Sequence, residues 1–215
     1  MGRNSGGGAG GGQGVPKAPK VKNPGGRDSS YKGSVKNVRD LVSVKDPNVY
    51  RELKEGIRRF HSTLGVRERE VKIATLSPRV MGVQMTNVAS GKSAGVYLNS
   101  RYFDQKRGWI HDNLSKQMKD GWQTKTKKPV QHVVMHELGH ALWNTALKSP
   151  AAQNASTEIH KLYKTWVKDR KKKGYGEYSK SNIDEFWAET TAKACRGDQD
   201  HYTRAVKAIV KKYKL

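Results

Sequence analysis

HVVMHELGHAL, His132–Leu142, is the stretch on which the reading of this chain turns. Positions four apart stack on one face of a helix, so His136 and His140 offer two imidazoles to one ion, and Glu137 stands one step round from them. The stretch has the form H-E-x-x-H, in which the glutamate is placed to act as a general base. A five-residue match fits a surface helix with solvated histidines equally well, so the rest of the chain has to supply the missing partners. The helix is expected to start just after Pro129 and to run to about Leu147, where Ser149 and Pro150 end it.

A second acidic helix offers those partners. NIDEFWAETTAKACRG predicts a helix from about Ile183 to Cys195 with Gly197 as its stop. Glu185 and Glu189 lie four apart on the side that carries Ala188 and Ala192, while Phe186 and Trp187 turn toward the core. Small residues let this helix approach another closely, and a buried acid without a partner is costly. A Zn²⁺ shared with His136 and His140 would supply one, giving three protein ligands and an open position. The longer pattern H-E-x-x-H-x-x-G-x-x-H requires a glycine at position 143 and a histidine at 146, where the chain has Trp143 and Ala146. A third ligand therefore comes from further away. His160, His201, Glu158 and Asp184 are candidates on less suggestive faces. His132, one turn before His136, is badly placed for a tetrahedral ion and is read as a neighbour of the site or a surface residue.

The chain around these helices divides in two. Of the 22 glycines, 11 precede residue 34, in a run beginning MGRNSGGGAGGGQG with almost no large apolar side chain. Such a segment cannot bury enough surface to offset its ordering entropy, so residues 1–35 are expected to form a flexible, basic arm and 36–215 the folded domain. No apolar run reaches the roughly 20 residues of a membrane span, and the N-terminal stretch lacks the apolar run of a secretory signal; a cytoplasmic or virion-associated protein is expected. The single cysteine, Cys195, excludes an internal disulfide and a four-cysteine zinc site, so any metal must use nitrogen and oxygen ligands. The formal net charge of +23 suits non-specific contact with nucleic acid or another polyanion through the arm and the basic helices. Charge alone speaks to solubility and association, and a solvated basic exterior fits it as well.

The expected class is α+β. Helices are predicted over 46–65, with Asp46 as N-cap and Val49, Leu53, Ile57 and Phe60 as its apolar stripe, and over Gly108–Asp120. A third amphipathic helix carries Ile159, Leu162, Tyr163, Trp166 and Val167 at i, i+3, i+4, i+7 and i+8. The last runs to the C-terminus with Tyr202, Val206, Ile209 and Tyr213 inward and Arg204, Lys207, Lys211 and Lys214 outward. REVKIATL, RVMGVQMTNVA and AGVYLNS predict three strands of a small, mainly antiparallel sheet, with Val71, Ile73 and Thr75 alternating in the first.

YSKSNIDEFWAE, Tyr178–Glu189, together with VMHELGHAL resembles the zinc peptidase domain of anthrax lethal factor and its relatives, among them metallopeptidase-like domains of phage minor head proteins and associated toxins. In that family a motif of the type Y-x6-E-F-F-A-E follows the HExxH helix, and the spacing matches, with Trp187 in place of the second phenylalanine. Over about Val66–Gly197 the resemblance implies a zincin-like fold and a zinc-dependent endopeptidase acting on a peptide or protein substrate. It implies that His136, His140 and Glu185 bind zinc, Glu137 activates water, Tyr178 donates to the oxyanion or leaving group, and Glu189 orients a ligand imidazole. AGVYLNSRYF then looks like the edge strand that pairs with an extended substrate, near Val96–Asn99. The arm and the strong basic charge are not part of the family pattern. They favour as alternative a phage-particle or nucleic-acid-associated structural protein that keeps a zincin scaffold. Tyr175 lies close enough to Tyr178 in sequence to compete for the tyrosine's role.

Overall fold

A computed structural model describes residues 34–86, 93–148, 153–170 and 173–215. The elements are β1 (Lys36–Asp40), α1 (Pro47–Leu64), β2 (Val71–Thr75), β3 (Gly82–Thr86), β4 (Ser93–Asn99), α2 (Ser100–Phe103), α3 (Trp109–Lys119), α4 (Pro129–Lys148), α5 (Gln153–Lys168), α6 (Ile183–Arg196) and α7 (His201–Tyr213). The class is α+β, as the sequence predicts. The arm and the end of α4 at Ser149 and Pro150 fall outside the described residues, apart from positions 34 and 35.

The sheet differs from the expectation. It has four strands in the order β1-β2-β4-β3, and it is mixed: β2 and β4 run parallel, while β1 pairs with β2 and β3 with β4 antiparallel. The additional strand, β1, is largely exposed, with Val38 at 46% exposure, so no apolar alternation marked it. In β2 the inward set is Val71, Ile73 and Ala74, and Thr75 is exposed. β4 lies between two neighbours and is not an edge. The edge on its side is β3.

Helix boundaries follow local chemistry. The Asp46 carboxylate accepts from the Asn48 amide at 2.9 Å, Pro47 opens α1, and Gly65 closes it with φ +65°. Val49, Leu53 and Phe60 are buried, with Ile57 partly so. α4 is the central element: every residue from Pro129 to Gly139 is buried, so it reads apolar nearly all round. It packs on α1, α6, α5, α3 and the β3–β4 hairpin. Gly56 admits it against α1, since a Cβ there would lie 2.6 Å from Val134 Cγ1. On α5, Ile159 and Trp166 are buried, whereas Val167 is 52% exposed and leaves the expected stripe. Trp166, Phe186 and Tyr202 form a separate aromatic cluster joining α5, α6 and α7. Among the described residues no helix is long and apolar enough to cross a membrane.

Candidate metal centre

The α4–α6 crossing builds the site. At Gly139 an added Cβ would lie 2.8 Å from Ala188 Cα, so glycine on one helix and alanine on the other set how closely the two axes approach. The Asn182 side chain caps α6 by accepting from the Glu185 amide at 2.9 Å, which fixes the first turn where Glu185 sits.

Three donor atoms converge there. His136 Nε2 lies 3.1 Å from His140 Nε2 and 3.1 Å from Glu185 Oε2, and His140 Nε2 lies 3.4 Å from the same oxygen. These side chains are buried or partly buried, and together they form a group able to hold a metal ion. Ligands about 2.0–2.1 Å from a tetrahedral zinc occupy corners about 3.3–3.4 Å apart, close to the separations here, so the donor set fits such an ion in type and in spacing. The electrostatics fit as well. Three buried carboxylates, Glu137, Glu185 and Glu189, lie among three imidazoles, those of His132, His136 and His140. Burial opposes charge on His136, but the Glu185 and Glu189 carboxylates lift it well above the ordinary histidine range. Burial likewise opposes charge on His140, and Glu185 raises it. Burial pushes Glu185 and Glu189 upward, yet His140 and His136 hold Glu185 below the carboxylate range, while His132 and His136 hold Glu189 well below it. Such acids stay ionised beside a cation.

The remaining residues surround this group. Glu189 Oε2 lies 3.1 Å from His136 Nδ1, which orients that ring, and its other oxygen lies 2.8 Å from His132 Nε2. His132 is therefore a buried neighbour of the site, at 4% exposure, that ties down the carboxylate holding His136. Glu137 is 8% exposed, and burial raises its carboxyl. Its cover is β3: a Cβ on Gly82 would sit 2.6 Å from Glu137 Cδ and 2.8 Å from its Oε1. Asn144, two turns beyond Glu137 on α4, hydrogen-bonds the Gln84 side chain and ties the same strand to the helix.

Tyr178 donates to Glu185 Oε1 at 2.9 Å, and its ring lies 5.9 Å from that of His136. Burial and the Glu185 charge raise its hydroxyl well above the usual tyrosine range, so it remains a donor. The turn that carries it is pinned from the side. The Glu177 amide donates to Gly121 O at 2.9 Å, the Tyr178 amide to Trp122 O at 3.1 Å, and the Gly176 amide to Thr124 Oγ1 at 3.0 Å. Trp122 also packs on the Tyr178 ring at 5.6 Å. Tyr175 faces elsewhere: its ring meets Trp166 at 5.3 Å and its hydroxyl meets Thr190 Oγ1 at 3.4 Å.

Comparison with known proteins finds no matching family model, no matching curated protein and no matching solved structure.

The predicted residues His136, Glu137, His140, Tyr178, Glu185 and Glu189 thus meet at one place. The other ligand candidates do not. His160 and His201 are exposed, Glu158 is held by Lys212 and Tyr213, and Asp184 lies beside Glu185 on α6 but outside the group. Sequence reasoning missed Gly82 and Trp122, which touch the site only through tertiary contacts. The one advance signal for His132 was its i−4 spacing to His136.

Proposed function

We propose that this protein is a zinc-dependent endopeptidase, in a phage- or toxin-associated setting. The observation that carries the reading is the convergence of His136 Nε2, His140 Nε2 and Glu185 Oε2 within 3.4 Å, with the buried Glu137 carboxylate alongside. His136, His140 and Glu185 would hold the ion. Zinc bound there would supply a Lewis acid that polarises a carbonyl and acidifies water. Glu137 takes the proton from the attacking water and returns it to the amine nitrogen as the C–N bond breaks; its raised pKa suits both transfers. The Tyr178 hydroxyl turns from Glu185 to donate to the oxyanion. Glu189 keeps the His136 ring in place throughout. An extended substrate pairs with the β3 edge, whose Gly82 lies over the base.

Digestion of an unfolded protein by the purified chain with added zinc tests the reading. Cleavage should stop with a chelator and be absent in Glu137→Gln. A wild-type protein that binds zinc stoichiometrically yet cleaves no peptide under any condition would favour the alternative, a particle or nucleic-acid-associated protein with a zincin scaffold. The buried Glu137 argues against that alternative, because a purely structural site has no use for a desolvated base.

A further inference from the structure

The peptidase reading leaves most of the positive charge without a task. α7 carries no acidic residue, and three of its four cations, Arg204, Lys207 and Lys211, recur at i, i+3 and i+7, while the fourth, Lys212, pairs with Glu158. That spacing puts the three in one stripe about 10 Å long beside the buried face of Tyr202, Val206, Ile209 and Val210. Two neighbouring elements extend it. Arg59 of α1 reaches across to donate to Arg196 O at 3.2 Å, and Arg196 in turn donates to Lys125 O at 3.1 Å. Burial pushes the Cys195 thiol up to about 12, and Lys207 and Arg59 lie near enough to oppose that rise, which brings α1 and α7 cations to the same flank of α6. Among the described residues, Arg59, Lys125, Arg204, Lys207 and Lys211 have no carboxylate within ion-pair distance; the local acids Asp198 and Asp200 are taken, Asp198 by Lys193 and Arg196 and Asp200 by Lys193.

We propose that this face, built from α7, the end of α6, Arg59 and Lys125, is a binding surface for duplex nucleic acid that contacts phosphates without reading bases. Charge complementarity carries the choice of partner, and the surroundings narrow it. A protein partner of any stability needs an apolar or aromatic centre to its interface, and among the described residues the exposed large apolar ones, Val38, Val42 and Val167, lie on β1, the turn after it and α5. A membrane would require an apolar helix face to insert, and the apolar face of α7 is spent against α5 and α6. A rigid row of phosphates requires only cations held at intervals on a firm surface. The face lies at the end of α6 remote from Glu185, roughly 16 Å along its axis, so nucleic acid bound there leaves the metal centre open. The inference stands whether or not the site cleaves peptides.

The test uses the full chain and fluorescence anisotropy with two 20-base-pair duplexes of unrelated sequence, titrated over a salt series. Wild type should bind both alike. A variant with Arg204→Gln, Lys207→Gln and Lys211→Gln should lower the slope of log affinity against log salt by about two to three, at ~0.9 per phosphate contact, and weaken binding by on the order of tenfold or more at physiological salt. A control with the same charge loss, Lys36→Gln, Arg79→Gln and Arg101→Gln on the sheet side, should change the slope by less than one. Equal losses in both variants, or none in either, would assign the affinity to bulk charge or to other parts of the chain and overturn the proposal. Equally tight binding to phosphatidylserine vesicles at matched phosphate concentration would overturn it in favour of a lipid surface.

Discussion

The helix pair α4–α6 and the four-stranded sheet meet at the same site, but they contribute to it in opposite ways. The helices bring the imidazoles and carboxylates: His132, His136, Glu137 and His140 from one, Glu185 and Glu189 from the other. The sheet brings backbone. Its edge strand β3 approaches Glu137 through a residue with no side chain, Gly82, whose value lies in what it leaves out. The difference teaches that a buried reactive cluster needs two kinds of neighbour, one that satisfies its charges and one that excludes water without competing for its hydrogen bonds.

That contrast can be broken at graded strengths. The largest effect is expected on the helix side: Glu137→Gln should lower kcat at least a thousandfold while keeping the metal, within the range of a lost general base. Tyr178→Phe should lower kcat by roughly ten- to a thousandfold with metal content unchanged, and Tyr175→Phe should do little, because only Tyr178 reaches Glu185. Steady-state kinetics on any cleaved peptide distinguish them, and a reversed order would reassign the oxyanion donor. His132→Phe removes the donor to Glu189 Oε1 and should weaken metal affinity about ten- to a hundredfold in a chelator competition, whereas His132→Gln should recover part of the loss. If both variants bind metal as wild type does, His132 has only a packing role. The smallest effect belongs to the helix crossing: Gly139→Ala should cost about 1–3 kcal/mol in denaturant unfolding, since its Cβ meets the Ala188 backbone. A neutral result would mean that the α4–α6 spacing is softer than the geometry implies.

The two regions also differed in how far the sequence revealed them. The helix pair was legible because its signals are local: the i, i+4 histidines, the i, i+4 glutamates beside alanines, and Gly197 closing α6. The sheet was not. β1 is short and exposed, so burial gave KNVRD no alternation, and its pairing with β2 depends on residues more than 30 positions away. The β2–β4 parallel pairing places β4 inside the sheet and sends β3 to the edge, which no strand's own pattern encodes. For the same reason AGVYLNSRYF read as the edge strand when β3 holds that position. On α5 the stripe is buried at Ile159 and Trp166, whereas Val167 at its end is 52% exposed.

The central claim is that His136, His140 and Glu185 hold one zinc ion, and elemental analysis of the purified chain tests it most directly. The account predicts one zinc per wild-type chain, an unchanged ratio in Glu137→Gln, and loss of the metal in His136→Ala or His140→Ala. A wild-type chain that takes up no zinc after dialysis against it, or a His136→Ala chain that still holds one, would contradict the account.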